Sequence, residues 1–103
     1  MFKNSNNNPE IINFIENENI DNFTYNRLMN RLKIGYDRYG QGIDIHQNTT
    51  IHGTDNNSWL EMALEEIEDC IIYLYSNKLL TNKMDTSIAK LLEIHKEISK
   101  DLK

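Results

Sequence analysis

At 103 residues the chain is long enough for one small domain, able to bury about 60–68% of the surface its unfolded form exposes. Only 39% of its residues are hydrophobic and the mean hydropathy is -0.64, so a modest core is expected, supported by oligomerisation or by tightly packed amphipathic helices. Eleven basic against 16 acidic residues give a net charge of -5 and a pI near 5.1, which argues against duplex nucleic acid as a partner, because no basic stripe is available to displace its counterions.

The single cysteine, Cys70, excludes an intramolecular disulfide, and its place at the edge of an apolar helix face reads as a small buried hydrophobe. The N-terminal MFKNSNNNPE has no apolar signal-like run, and nothing approaches the ~20 apolar residues of a membrane span. A cytoplasmic protein without membrane association is the expectation. The abundance of Asn, Ile and Lys resembles the codon bias of an AT-rich genome, whether bacterial, phage or viral.

In chain order, residues 1–8 have the composition of a disordered start. Asn8 then reads as an N-cap with Pro9 at the first helical position, opening a short helix that carries Ile11, Ile12 and Ile15 and ends near Glu18. A second helix is predicted from about Asp21 to Tyr39, where Tyr25, Leu28, Met29, Leu32 and Tyr36 recur at helical spacing and Arg27, Arg31, Lys33 and Arg38 make the polar side basic.

Gly40 and Gly42 break that helix. The stretch from about 40 to 57 is rich in turn formers, and Ile43, Ile45 and Ile51 allow a short hairpin at most. So long a connection in so small a domain is read as a functional lid. Asn57 or Ser58 caps a third helix that fades near Ser76 or Asn77, and Glu61, three residues past Ser58, also fits a purely structural capping box. A fourth helix from about Asp85 to the end aligns Ile88, Leu91, Leu92, His95, Ile98 and Leu102. Three main helices and a short leading one predict an all-α bundle, a single domain over 9–103.

The third helix carries the candidate chemistry. Leu60, Ala63, Leu64, Ile67, Cys70, Ile71 and Leu74 fall on one side; Glu61, Glu65, Glu68 and Asp69 gather within an arc of about 100° on another, flanked by Glu66. Like charges at i, i+4 destabilise a helix, and a cation among them relieves the repulsion. Hard oxygen ligands suit Mg²⁺, with Mn²⁺ as the alternative, and both are commonly shared with substrate phosphates. Zinc is disfavoured, because His46, His52 and His95 have no ligand spacing to the cluster. The competing reading of the same residues is a solvated acidic face near a helix start. Arg38, Lys33 and Arg31 are candidate phosphate contacts, weighed against an ordinary basic surface. Tyr39 and Trp59 are candidate stacking groups, with His52 a weaker contact.

RYGQG at 38–42, HGT at 52–54 and SWLEMALEEIEDCIIYL at 58–74 together resemble the all-α nucleotide pyrophosphohydrolase superfamily, the MazG-like proteins, in its short phage and bacterial form. The resemblance covers about residues 27–80, with Glu66 to Asp69 matching the E-x-x-D element. It implies Mg²⁺ held by Glu61, Glu65, Glu66 and Asp69, with Glu65, Glu66 and Asp69 catalytic. The implied reaction cleaves a nucleoside triphosphate between its α and β phosphates, in a homodimer or homotetramer. The family's earlier E-x-x-E has no counterpart, since the second helix offers only Asp21 and Asp37. The resemblance therefore implies either a site built from one helix and completed by a second subunit, or a non-catalytic helical oligomerisation or interaction protein that keeps the bundle.

Overall fold

The computed structural model describes residues 7–83 and 86–102. Among them are four α-helices and no strand: α1 (Asn8–Glu16), α2 (Asn22–Tyr39), α3 (Trp59–Thr81) and α4 (Thr86–Leu102), with one turn of 3₁₀ helix at Thr49–His52. The protein is all-α. No helix among the described residues is long and apolar enough to cross a membrane. The chain forms two compact units, divided between Gln47 and Asn48.

In the first unit α1 lies against α2, and the Tyr25 hydroxyl donates to Glu16 Oε2 at 3.2 Å. That bond, with partial burial and the negative charge of Glu16 behind it, raises the Tyr25 pKa above its usual value. Neither helix buries a side chain fully. The start of α2 is set by Asp21, whose carboxylate accepts the Thr24 N–H at 3.1 Å; the bonds from Thr24 hold that carboxyl below its usual range. Its end is set by Gly40, at φ 73°, whose N–H closes on the Tyr36 carbonyl at 2.8 Å. A Cβ at Gly40 would touch nothing within 4 Å, so backbone conformation alone, not crowding, calls for glycine here.

The opening of α1 differs from expectation. Asn7 is the cap position and Asn8 the first helical residue, with no side-chain capping bond. The two side chains are drawn elsewhere: Asn8 Oδ1 accepts the Ile43 N–H at 3.2 Å and Asn7 Oδ1 the Ile45 N–H at 3.0 Å, while the Asn7 N–H donates to the Ile43 carbonyl at 2.9 Å. Thus Ile43 and Ile45 pair with the start of α1 rather than forming a hairpin. Asn7 and Asn8 are fixed by these bonds, and the rest of the stretch expected to be disordered, residues 1–6, lies outside the described residues.

In the second unit α4 returns alongside α3, and Leu64, Ile71 and Ile88 are the buried apolar side chains between them. Ile67, Leu74, Leu91 and Ile98 are half-buried around this centre. α3 runs to Thr81, about one turn beyond the expected end near Asn77. Nothing in Lys78–Thr81 breaks it, Ser76 and Thr81 return their hydroxyls to the carbonyls of Ile72 and Asn77, and Asn82 in the left-handed region closes it. The expected start of α4 at Asp85 lies outside the described residues. Cys70, read from its sequence position as buried, is exposed. It lies beyond the edge of the α3 stripe that α4 covers, so the apolar side of α3 is wider than its partner helix.

Candidate functional site

The second part of the long polar connection, from Asn48 to Ser58, is an ordered cap on the N-terminus of α3. Asn48 accepts the Thr50 N–H at 3.0 Å and starts the 3₁₀ turn; Gly53 at φ 104° ends it. Thr49 is wholly buried and central to the segment. Its Oγ1 lies 2.9 Å from Thr54 Oγ1 and accepts the Ser58 N–H at 2.8 Å, and its own N–H donates to Asn57 Oδ1 at 2.9 Å. Thr54 Oγ1 donates to the Asn56 carbonyl at 2.6 Å. Each hydroxyl has one hydrogen; with that of Thr54 given to Asn56, the Thr49 hydrogen is shared among Thr54 Oγ1 and the carbonyls of Asn56 at 3.1 Å and Ser58 at 3.4 Å. Thr49→Val keeps the volume, strips the Ser58 N–H of its acceptor and removes one of the two bonds of Thr54 Oγ1. It is expected to cost about 1–3 kcal/mol in urea unfolding, whereas Thr49→Ser retains most of the stability; equal stability of Val and wild type would contradict this role.

This cap decides the part played by Glu61. The Glu61 N–H bonds Ser58 Oγ at 3.2 Å, which is half of the expected capping box. Because Thr49 already occupies the Ser58 N–H, the Glu61 carboxylate turns to the next free donors, the N–H groups of Asp55 at 2.9 Å and Asn56 at 3.2 Å. Both oxygens are engaged by the loop. The structure therefore uses Glu61, expected among the metal ligands, as a clasp between the connection and α3.

Glu68 is also occupied. Its Oε2 lies 2.7 Å from His95 Nε2 on α4, and since the carboxylate has no hydrogen to give, the imidazole donates. The Ser99 hydroxyl donates to the His95 carbonyl at 2.7 Å. The sequence reading placed His95 on the inner face of α4 and Glu68 in the acidic arc without joining them; the length of the Glu side chain at the margin of the helix interface is what lets them meet.

Glu65, Glu66 and Asp69 remain. Among the described residues no hydrogen bond or ion pair engages any of the three. Glu65 is half-buried, and its carboxyl is pushed above its usual value, first by that desolvation and then by the negative charges of Glu61, Glu68, Asp55 and Asp69. The folded state thus binds the Glu65 proton more tightly than the unfolded chain does. The associated stability is fully present below the ordinary value of 4.5 and is lost as pH rises through the raised one. Metal-free Glu65→Gln is expected to melt higher than wild type at neutral pH, with the advantage vanishing toward pH 4. Parallel melting curves across that range would show that Glu65 feels no such repulsion.

The donor chemistry of these three carboxylates suits a hard cation that keeps its waters and shares substrate phosphates. It does not make a closed protein cage: among the described residues no three His, Cys, Asp or Glu side chains are grouped to hold a metal ion. Glu65 and Asp69, one turn apart, share a flank of α3, and Glu66 lies next to it around the helix.

The other expected site residues fall as follows. His52 ends the 3₁₀ turn and Trp59 opens α3, both in the second unit and both exposed. Lys33, Arg38 and Tyr39 belong to the first unit. Lys33 pairs with Asp37 at 3.0 Å, one helical turn away, which weakens its claim on a phosphate. Arg38 has no ion pair among the described residues, and Tyr39 is the last residue of α2, largely exposed. Comparison with protein-family models, with curated proteins and with solved structures finds no match for the chain.

Proposed function

We propose that the chain is a Mg²⁺-dependent nucleoside triphosphate pyrophosphohydrolase of the MazG-like type, converting a (d)NTP to the monophosphate and pyrophosphate. The observation that carries this reading is the division of labour along α3. Glu61 and Glu68 are each engaged by another part of the chain, while among the described residues no side-chain hydrogen bond or ion pair engages Glu65, Glu66 or Asp69, the residues matching the motif, and Glu65 lies within the negative field of Asp69 and its other acidic neighbours. Carboxylates set along one flank of a helix, one of them under repulsion from its neighbours, have the chemistry to take a hard cation.

In this proposal Glu66 and Asp69 hold Mg²⁺, with Mn²⁺ as the alternative, and Glu65 accepts the proton of the attacking water. Glu65, half-buried and one helical turn from Asp69, is placed beside the proposed ligands to take that proton. The bound metal, when present, polarises phosphoryl oxygens and lowers the pKa of its water. Product analysis tests the bond cleaved: monophosphate with pyrophosphate supports the reading, and diphosphate with orthophosphate contradicts it.

A second reading is favoured by different residues. Leu79 and Leu80 are 88% exposed on α3, and Ile72 and Tyr73 are also exposed, in a unit whose buried apolar core is Leu64, Ile71 and Ile88. These are the marks of a helical oligomerisation protein, either as the state in which the hydrolase works, a homodimer or homotetramer, or as a function without turnover. Sedimentation equilibrium of wild type and Leu79→Lys/Leu80→Lys separates an assembled protein from a monomer.

A further inference from the structure

The polar side of α2 is unlike the rest of this acidic chain. Phe23, Arg27, Arg31, Ile34 and Arg38 recur at helical spacing and fall within roughly 80° of one another around the axis. Asp37, the single acid within α2, lies to one side of this stripe and is paired with Lys33 at 3.0 Å. Among the described residues no carboxylate pairs with Arg27, Arg31 or Arg38. The sixteen acids are unevenly placed: residues 1–47 hold five basic and six acidic groups, residues 48–103 six and ten. The overall charge of -5 therefore masks a local basic stripe on α2.

Shape and chemistry accompany the charge. Phe23, Asn26, Arg27, Asn30, Arg31 and Ile34 line an open, shallow depression between side chains along this one helix. Phe23 is 70% exposed among the described residues, an unusual position for an aromatic ring. The Arg27 guanidinium carbon lies 5.6 Å from the centre of the Phe23 ring, which holds cation and ring together at one end of the depression. Asn26 and Asn30, one turn apart, present amides that both donate and accept.

We propose that this face of α2 binds a segment of single-stranded nucleic acid, with a base stacked on Phe23 and successive phosphates on Arg27, Arg31 and Arg38. Guanidiniums match phosphate oxygens in paired hydrogen bonds. A carboxylate partner would satisfy the arginines but leave the exposed ring and the two amides without a role, whereas a nucleobase uses all of them. From Arg27 to Arg38 the helix rises about 16 Å, so the cations are spread along a backbone rather than gathered on one phosphate group. Three cations are too few for a duplex but sufficient for a short strand on an aromatic platform.

Fluorescence anisotropy of a labelled ten-nucleotide single strand with the full chain tests this. Binding is expected at low salt, with log K falling against log salt at a slope of about -2, roughly 0.7 for each of three phosphate contacts. Arg27→Ala/Arg31→Ala should reduce that slope to about -0.7. Phe23→Ala should weaken binding about 5- to 150-fold at an unchanged slope, and Phe23→Trp should restore it. All three positions are exposed, and far-UV circular dichroism confirms that the variants keep their helices. The proposal is overturned by an absence of binding at low salt, by a slope that the double substitution leaves unchanged, or by indifference to Phe23→Ala. It is also overturned if a free nucleoside triphosphate at equal nucleotide concentration displaces the strand completely, since the ligand would then be a mononucleotide.

Discussion

Asp69→Asn is expected to lower pyrophosphate release by about 100-fold or more while leaving the helical content intact, and Glu65→Gln to lower it about 10²–10⁴-fold, the range for loss of a positioned base. Both substitutions keep side-chain volume and remove only a negative charge. Among the described residues no side-chain hydrogen bond or ion pair depends on either, and desolvation together with the surrounding negative charge makes the Glu65 charge a burden on the metal-free protein. Loss of activity with unchanged or raised melting temperature is therefore the signature of a carboxylate kept for its ligand. Glu61→Gln is the informative contrast. Because Glu61 holds the Asp55 and Asn56 N–H groups, its loss should act through stability and through the cap on α3. If Asp69→Asn instead retained full turnover, Asp69 would be part of a solvated helix face and nothing more.

The second large effect concerns the core. Among the described residues Leu64, Ile71 and Ile88 are the buried apolar side chains of the second unit, so each carries an unusual share of its packing. Leu64→Ala removes three carbon-bearing positions from the centre of the α3–α4 contact and is expected to cost about 2–5 kcal/mol, transfer and cavity effects combined. Against a typical total of about 5–15 kcal/mol for a natural domain, that is enough to populate unfolded chains at ordinary temperature. Urea unfolding followed by far-UV circular dichroism measures it. By contrast Leu79→Ala, at a position 88% exposed, should be nearly silent in the monomer and costly only where another surface covers it. A silent Leu64→Ala would show that the α3–α4 contact is not what holds the unit together.

The helices were legible in the sequence because their signals are local. Asp21 and Ser58 announce two starts, Gly40 one end, and the spacing of Leu64, Ile67, Ile71 and Leu74 one buried stripe. Extent was less legible where no breaker stands, which is why α3 outruns its expected end and reaches Thr81. The connection from 40 to 57 was read from composition as a lid, and its structure rests on contacts that composition does not show. A threonine is an unremarkable loop residue until its hydroxyl is placed among Thr54, Asn56 and Ser58. The signal that was available is the density of Thr, Asn and Ser between two helices, residues whose side chains complete backbone hydrogen bonds.

The candidate site was legible as a set of carboxylates but not as a partition among them. Around a helical wheel Glu61, Glu65, Glu68 and Asp69 are near equivalents. What separates them is reach: Glu61 meets the free N–H groups of the loop before α3, and Glu68 meets His95. Both partners come from other segments, so spacing within α3 held no trace of either. The same limit applies to Cys70, whose burial depends on how much of α3 another helix covers and not on its place in the pattern.

Pyrophosphate release by the wild-type chain, measured with Mg²⁺ and with chelator across the common and modified ribo- and deoxynucleoside triphosphates, tests the central claim most directly. The account predicts metal-dependent release of pyrophosphate with equimolar monophosphate from at least one of them, abolished by Asp69→Asn. No release from any nucleotide by a folded protein, or release that chelator and Asp69→Asn leave unchanged, would contradict it.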